Sequence, residues 1–379
     1  MSAIISDTLI ILSDLHLGPG WRHGELGSLF GQHWLLRLFS LDKKLSQYLE
    51  QGLAAHDPSV TGDLPLYLST LLWKLKQEGY EKEDFDFHVV LGDVVTWPDE
   101  RSFDFARRYL SWNWVEDIAG LGLHREKLLM IPGNHDKLFK SNLFLYHEFA
   151  RHVRVEPQPQ PGRSYLVSKP SGNREFLFAS IDASVYCGKN LQISKVEDLD
   201  RLTNFELLSC RDHIARGKVT EELINELVEK IVRLKRGESV DGAHLKDYPT
   251  ATKILMIHYA LDFKKVVSTS LWKSLSNFAV PHECNGIEVL LERVKGEFDL
   301  AVHGHLHSPK VYYCGSLPVI AVGTSAQRTT ESPRSFYLIK LTESGKIFAE
   351  HHHWPQDSNG FKRDTNEALT CELAPPRAA

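Results

Sequence analysis

Five short apolar runs in this chain are each followed by side chains of the types that bind hard or borderline metal ions. Such runs are typical of buried strands, and the residues after a strand usually lie in a loop. The runs and the side chains that follow them are 9–13 with Asp14 and His16, 87–91 with Asp93, 127–131 with Asn134, His135 and Asp136, 254–257 with His258, and 300–302 with His303, His305 and His307. One run alone would be weak evidence because Asn and Asp are common in turns. The recurrence predicts one polar site assembled from several strand ends.

The composition of the chain excludes few kinds of substrate. Its 379 residues are enough for one large domain or two, with a substantial core. The formal net charge of -5 argues against a protein that coats nucleic acid through bulk positive charge. It does not exclude an anionic substrate, because bound metal ions can reverse the local field.

Cysteine usage and hydropathy indicate the compartment. The cysteines are odd in number and never spaced as Cys-x-x-Cys, so we expect reduced thiols and neither a disulfide frame nor a zinc knot. They are Cys187, Cys210, Cys284, Cys314 and Cys371. No signal-peptide pattern and no run of about 18 apolar residues is evident. We therefore expect a cytoplasmic protein without a transmembrane segment.

Periodicity and turn signals predict the order of the elements. Helices are expected at 26–53, 64–79, 102–119, 142–150 and 220–236, and further strands near 153, near 165, and at 175–180, 310–313, 319–322, 335–341 and 346–353. Thr220 is the predicted cap of the helix at 220–236. No linker divides the chain, so we expect one domain over 1–355, with insertions at about 20–86 and 183–250 and a flexible tail at 356–379.

Two further stretches have competing interpretations. The apolar patch at 30–39 could pack on the core or over the site, or form a dimer surface. Membrane-surface contact fits less well, because the polar face lacks a dense Lys/Arg array. Three consecutive histidines, His351, His352 and His353, suggest metal. Neighbours on a strand point to opposite faces, however, so a surface strand is favoured over a grip on one ion by all three.

Taken in order, the polar motifs resemble those of the calcineurin-like metallophosphoesterase superfamily. The resemblance runs from Asp14 to His307. It rests on D-x-H at Asp14 and His16, G-D at Gly92 and Asp93, G-N-H-D at 133–136, the single His258, and G-H-x-H at Gly304, His305 and His307. Each motif is short, but five in this order, each after a strand, make coincidence improbable.

This resemblance implies an α/β fold, a four-layer α/β/β/α sandwich of two mixed sheets with two helical insertions. It also implies two divalent metal ions (Mn, Fe, Zn or Ni) and hydrolysis of a phosphate ester by a hydroxide that the dinuclear centre activates. The implied ligands are Asp14, His16, Asp93 and His307 for the first ion, and Asp93, Asn134, His258 and His305 for the second. His135 is the implied proton donor to the leaving oxygen.

Two positions depart from the family pattern. Many relatives carry a second Asp in the G-D motif, where it orients the catalytic His. Thr96 stands there in this chain, so Thr96, Asp99 or a more distant group would have to orient His135. Relatives also often have two histidines at the fourth motif, where this chain has His258 and Tyr259.

Several functions remain open at this level. The substrate could be a phosphomonoester, a phosphodiester, a nucleotide or a phosphoprotein. A non-catalytic metal-binding scaffold is the main alternative, although all implied ligands are present. A nuclease would be expected to show a basic groove or an aromatic platform, and neither is evident in the sequence. A membrane-lipid pyrophosphatase would typically carry Arg at the position of His135. We expect the apolar insertion at 26–79 to form a helical cap at the rim of the metal cleft, with an oligomer interface as the alternative.

Overall fold

A computed structural model of the protein describes residues 4–18, 58–95, 100–115, 117–137, 143–153, 163–183, 217–266, 284–326, 334–355 and 360–373. The strands in these ranges are β1 (Ile5–Leu12), β2 (Phe87–Val90), β3 (Trp114–Val115), β4 (Ile118–Ala119), β5 (Leu128–Met130), β6 (Ser164–Ser171), β7 (Arg174–Ile181), β8 (Gly217–Lys218), β9 (Thr252–Ile257), β10 (Cys284–Asn285), β11 (Leu300–His303), β12 (Lys310–Cys314), β13 (Leu317–Ala321), β14 (Arg334–Thr342), β15 (Ile347–Trp354), β16 (Lys362–Arg363) and β17 (Cys371–Leu373). The helices are α1 (Pro58–Gln77), α2 (Glu100–Ser111), α3 (Leu143–Val153), α4 (Glu221–Lys235), α5 (Phe263–Val266) and α6 (Ile287–Arg293), with a 3-10 turn at His135–Lys137.

Most of these strands belong to two mixed sheets. The first has the order β16-β15-β14-β1-β2-β5, with β17 also paired to β15, and the second has the order β12-β13-β11-β9-β7-β6. Strands β1, β2 and β5 run parallel in the first sheet, and β7, β9, β11 and β13 run parallel in the second. The remaining strands of each sheet pair antiparallel. This confirms the predicted sandwich of two mixed sheets.

Three apolar cores lie on the faces of these sheets. Alternate residues of β1, such as Leu9 and Ile11, pack with residues such as Phe178 and Met256 of the second sheet and form the core between the sheets. The opposite face of the first sheet packs against α1, α2 and α3, and that of the second sheet against α4 and α6. Because both faces of the parallel strands are covered, these strands are apolar along nearly their whole length.

Two of the helices are ordinary crossover connections. Helix α1 lies between the parallel neighbours β1 and β2, and α4 lies between the parallel neighbours β7 and β9. Helix α4 confirms the predicted cap, since Thr220 Oγ1 accepts a hydrogen bond of 3.3 Å from Leu223 N. A parallel pair needs such a connection, so these parts of the expected insertions belong to the sandwich itself. The domain boundaries stay a prediction.

The described part of the first insertion does not cap the metal cleft. Four leucines of α1, Leu64, Leu68, Leu71 and Leu75, are buried against the outer face of the first sheet. The cap prediction is therefore wrong for Pro58–Gln77, because its apolar stripe is already covered. The predicted helix at 26–53 and the apolar patch at 30–39 lie outside the described residues.

Two predicted elements differ from the structure. The helix expected at 102–119 ends at Ser111, because 120–123 turns back and its backbone N–H groups bond to the last helical carbonyls, as in Leu121 N to Tyr109 O at 2.7 Å. Residues 114–119 form the hairpin of β3 and β4 instead, and Trp112 and Trp114 are exposed. The strand expected near Val153 is the end of α3.

The tail beyond Trp354 is not uniformly flexible. Strands β16 and β17 pair with β15, and Phe361 and Leu373 are buried. The prediction of a flexible tail is wrong for 360–373, because these apolar side chains extend the two cores and the backbone pairs with an otherwise open sheet edge.

The three histidines lie on β15, but this is not a surface strand. His351 and His352 are each 1% exposed, so this prediction is wrong with respect to burial. Strand β15 has antiparallel neighbours on both sides, and Phe336 and Tyr67 lie against the ring of His352.

Two other expectations concern sequence-wide features. Cys284, Cys314 and Cys371 are free thiols, while Cys187 and Cys210 lie outside the described residues. None of the helices in the described ranges combines the length and apolar character needed to cross a membrane.

Candidate metal centre

The carboxyl ends of parallel strands from both sheets meet at one edge of the sandwich. Because β1 and β2 are parallel neighbours, the loops after them lie side by side, and Asp14 N donates to Gly92 O at 3.1 Å. The loops after β9 and β11 are joined in the same way by Gly304 N and His258 O at 3.0 Å. A third bond crosses between the sheets, from His305 N to Asp14 Oδ2 at 3.1 Å. These are four of the five strand ends singled out in the sequence, and the fifth, after β5, joins them through the hydrogen bond from His135 N to Asp93 Oδ1 at 2.8 Å.

One cluster at this edge consists of Asp14, His16 and His307. Each offers a ligand atom, and the three atoms lie within 4.8 Å of one another. His307 Nε2 is 3.0 Å from Asp14 Oδ1, and His16 Nε2 is 4.0 Å from the same oxygen. One carboxylate oxygen facing two imidazole nitrogens is a donor set that a borderline divalent ion can use.

A second cluster consists of Asp93, His258 and His305, again with ligand atoms within 4.8 Å. His258 Nε2 lies 3.4 Å from Asp93 Oδ2. Asn134 also belongs to this group, because its Oδ1 is 3.0 Å from His258 Nε2. All seven predicted ligands therefore lie in the two clusters or beside them.

A hydrogen bond to one ring nitrogen of His258 decides which of its two nitrogens can bind an ion. Its Nδ1 lies 2.7 Å from the backbone oxygen of Leu91, which can only accept a hydrogen bond. Nδ1 must therefore carry the proton, and Nε2 faces the Asp93 and Asn134 oxygens. A ligating imidazole is held in this way when its other nitrogen donates to a carbonyl.

The electrostatics of the second cluster favour charge on both partners. Burial opposes protonation of His258, but the Asp93 carboxylate outweighs it and raises the pKa of His258 to about 9. Burial favours the neutral form of Asp93, yet His258 and His135 hold the pKa of Asp93 well below its usual range. The proton on His258 thus balances the negative charge of the buried Asp93 carboxylate. A bound cation could balance the same charge.

In the first cluster, burial and neighbouring charges also shift the pKa values, but here the histidine becomes neutral. Burial, aided by His135, lowers the pKa of His16 to about 3. Burial raises the pKa of Asp14, but His307 more than offsets this and the net shift is downward. His16 is therefore neutral over the whole physiological range, and one of its two nitrogens carries a lone pair that can bind an ion.

The backbone at this site is held in a conformation that residues with side chains rarely adopt. Among the described residues, six other than Gly have positive φ, and all but Asp241 are predicted ligands. The five are Asp14 (51°), His16 (48°), Asp93 (49°), His305 (69°) and His307 (50°). Left-handed conformations cost non-glycine residues of order 1–3 kcal/mol each and are found where function requires them.

The glycines of the motifs leave room for these ligands. A Cβ at Gly133 would overlap Asp93 Oδ1, and one at Gly304 would overlap Ser13 Oγ and approach Asp14 Oδ2 to 2.6 Å. The glycine in each motif is therefore required by close approach of one loop to the ligand of another.

His135 opens the 3-10 turn directly after Asn134. Its backbone N donates to Asp93 Oδ1 at 2.8 Å, and its ring lies 4.9 Å from that of His16. The neighbouring Asp136 is fully buried and does not join either cluster, because it accepts from Val95 N at 3.1 Å and Gly133 N at 2.9 Å. Thr96 and Asp99, considered as orienting groups for His135, lie outside the described residues.

Sequence reasoning missed the residues that support Asp14. Thr324 Oγ1 donates to Asp14 O at 2.8 Å, and Ser325 Oγ accepts from Ser13 N at 3.0 Å. Ser13 Oγ in turn donates to Asp14 Oδ2 at 2.5 Å. Thr324 and Ser325 follow the apolar strand β13 as the ligands follow theirs, and this signal could have found them.

A buried ion pair beside the site was also missed. Lys137 Nζ contacts Asp182 Oδ2, and the two side chains are 1% and 3% exposed. Asp182 follows the end of β7, so another parallel strand delivers a charged group to this edge. His303, by contrast, belongs to neither cluster, because its Nε2 lies 2.8 Å from Tyr312 Oη.

Comparison with known proteins agrees with this arrangement. The sequence matches the family described as calcineurin-like phosphoesterase over residues 8–309. A comparison with curated proteins gives no match.

Solved structures that resemble the chain do so at low identity. GAP50 of Plasmodium is 10% identical (TM-score 0.42, 98% of this chain and 90% of that chain), and a putative 5'-nucleotidase of Staphylococcus aureus is 11% identical (0.41, 97% and 53%). The phosphopantetheinyl hydrolase PptH of Mycobacterium tuberculosis is 14% identical (0.35, 84% and 90%). At these TM-scores the structural similarity is weak. The family match, in contrast, spans most of the chain and includes every motif of the centre. The chain belongs to the calcineurin-like phosphoesterase family.

Proposed function

We propose that this protein hydrolyses phosphate esters with the help of two divalent metal ions. The observation that carries the proposal is the pair of adjacent clusters, each of which could hold an ion, at the edge where strands of both sheets end. Asp14, His16, Asp93 and His307 would hold the first ion, and Asp93, Asn134, His258 and His305 the second. Asp93 is suited to the shared position because His258 and His16 both affect its ionisation.

The donor set supports ions of borderline hardness. It consists of imidazole nitrogen, carboxylate oxygen and one amide oxygen without thiolate, which suits Mn, Fe, Zn or Ni. Two such ions, when bound, would supply positive charge for the phosphate and lower the pKa of a water molecule. With Asp14 and Asp93 as the two carboxylates, the ligand charge would be -2 against +4, so the site would attract an anion although the chain is acidic.

The proposed role of His135 is to donate a proton to the leaving oxygen. The 3-10 turn places its ring beside that of His16, and the bond from its backbone to Asp93 ties the turn to the centre. The ring is only partly buried, so its outer edge can meet a substrate. General acids at such positions contribute about 10²–10⁴-fold to rate.

The direct test is turnover by metal-reconstituted protein. The purified chain would be stripped of metal, loaded in turn with Mn, Fe, Zn and Ni, and assayed on aryl phosphomonoesters, aryl phosphodiesters and nucleotides. We expect hydrolysis that depends on metal and a preference that separates monoesterase from diesterase. Asp93→Asn should abolish turnover and lower metal content more than a change at any single other ligand.

His303→Gln is the matched control, since this buried histidine lies next to the ligand loop but outside both clusters. It should keep metal content and turnover. Two bound ions in the Asp93→Asn protein would contradict the shared position. Wild-type protein that binds both ions and hydrolyses no ester would favour the non-catalytic scaffold instead.

A further inference from the structure

A second group of metal-binding side chains lies apart from the candidate centre, where β15 meets β16 and the segment after it. His351, His353 and Asp364 each offer one ligand atom, and the three atoms lie within 4.8 Å of one another. In register, His351 pairs with Tyr337 of β14, and Tyr337 pairs with Ile11 of β1. The group is therefore two strands away from the strand that carries Asp14.

Because side chains alternate between the two faces of a strand, two of the three histidines of β15 lie on the same face. His351 and His353 are two residues apart and share one face, with ring planes 13° apart and centroids 5.6 Å apart. His352 faces the other way, where its ring stacks on Phe336 and its Nδ1 lies 3.0 Å from Tyr67 Oη. The three consecutive histidines thus do not share one ion, but two of them can.

The distances around Asp364 are compatible with an ion shared by both imidazoles, and only the shorter one is also that of a hydrogen bond. Asp364 Oδ2 lies 2.9 Å from His351 Nδ1 and 3.7 Å from His353 Nδ1. Ligand atoms at about 2.0–2.1 Å from a tetrahedral ion are about 3.3 Å apart, between these two values. The longer distance exceeds that of a hydrogen bond, and His353 Nδ1 is a buried atom without a hydrogen-bond partner among the described residues.

The carboxylate is also held in place by its own backbone. Asp364 N donates to His351 O at 2.8 Å, and Thr370 Oγ1 accepts from His351 N at 3.1 Å and donates to Asp364 O at 3.2 Å. The second oxygen, Oδ1, already accepts from Asn366 N at 2.9 Å. These bonds leave Oδ2 aimed at the two imidazoles, and His351 is 1% exposed. Hydrogen bonds that fix a ligating carboxylate in this way are typical of a built metal site.

We propose that His351, His353 and Asp364 bind a divalent transition-metal ion of the zinc class, separate from the catalytic pair. Two imidazoles and one carboxylate suit zinc, and the partly exposed edge of His353 leaves the fourth position to water. The ion would join β15 to the segment 360–373, in addition to the pairing of the short strands β16 and β17 and the burial of Phe361 and Leu373. Its role would be to fix this segment on the sheet.

The test compares zinc content and thermal stability of full-length variants in the Asp93→Asn background, where the catalytic pair is weakened. Asp364→Asn and His353→Gln change partly exposed side chains, so both proteins should fold. We expect each to bind one zinc ion fewer per chain than the background protein. Added zinc should raise Tm in the background and not in these variants, because a ligand that binds only the folded state stabilises it.

His352→Gln is the matched control, since it alters a histidine of the same strand on the opposite face. It should keep the zinc ion and the zinc-dependent rise in Tm. The same substitutions in the wild-type background should leave ester hydrolysis unchanged, which separates this site from the catalytic centre. Equal zinc content in the background protein, Asp364→Asn and His353→Gln would overturn the proposal and leave an ordinary His–Asp hydrogen bond.

Discussion

At the scale of single residues, the centre combines unfavourable backbone conformations with buried charge. Asp14 and Asp93 are buried carboxylates, and both have positive φ. Neither feature would persist without compensation, and the compensation comes from neighbouring imidazoles and from backbone N–H groups such as His305 N. The residues that bear this cost are the ones with ligand chemistry, which supports a functional reason for it.

The role of His135 can be tested through the leaving group. His135→Ala should keep both metal ions, because the ring is not among the proposed ligands, and should lower kcat by about 10²–10⁴. The loss should be smaller for nitrophenyl esters, whose leaving group needs little protonation, than for alkyl esters. Steady-state kinetics on matched substrates measure this difference. Equal losses on both would remove His135 from the proton-donor role.

Proton release on metal binding should report the state of His258. Its pKa of about 9 means that the metal-free protein carries a proton there at neutral pH. Binding at Nε2 must displace this proton, so apparent metal affinity should rise with pH until it levels off near pH 9. Calorimetry in buffers of different ionisation enthalpy counts the protons released. His303→Gln should release the same number, because His303 is already neutral with a pKa lowered to about 4 by burial. Metal binding without proton release at neutral pH would contradict this account.

At the scale of elements, the parallel strands build the core and the loops that follow them carry the candidate ligands. The strands are buried and apolar, and the next few residues carry the polar chemistry, as in β9 followed by His258. The helices that connect parallel neighbours cover the outer faces of the two sheets. The centre therefore rests on rigid elements while its ligands lie in short loops.

Capping of α4 offers a test at this scale. Thr220→Ala should lower the free energy of unfolding by about 1 kcal/mol, because Leu223 N loses the oxygen that accepts its hydrogen bond. Thr220→Ser keeps that oxygen and should recover most of the loss. Urea unfolding followed by circular dichroism provides the measurement. Equal stability of the Ala and Ser proteins would show that the cap contributes little.

At the scale of the whole molecule, the two sheets are joined at the site as well as through their core. The buried pair of Lys137 and Asp182 links the loop after β5 in the first sheet to the loop after β7 in the second. The hydrogen bond from His258 to Leu91 O makes a similar link. Stability of the sandwich and alignment of the two ligand clusters are thus connected.

Breaking the buried pair should therefore be costly. Asp182→Asn would leave Lys137 buried without its carboxylate and should lower the free energy of unfolding by about 3–5 kcal/mol. The exposed pair of Lys76 and Glu83 is the matched control, and Glu83→Gln should cost no more than about 1 kcal/mol. Denaturant unfolding of both variants measures the difference, and similar losses in the two would contradict it.

The sequence by itself determined which strands are followed by side chains of metal-ligand type, and the resemblance of its motifs to the calcineurin-like superfamily implied the fold class and the seven proposed ligands. An apolar run followed by a polar motif is a local property, because it can be recognised without knowing what lies beside it. Tertiary structure decided what depends on contacts between distant segments. It brought Thr324 and Ser325 to Asp14, paired Lys137 with Asp182, and joined Asp364 to two of the three histidines. It also placed α1 on the sheet rather than over the cleft. An apolar helix face shows in the sequence only that it must be covered, and the surface that covers it is set by the packing of the whole chain.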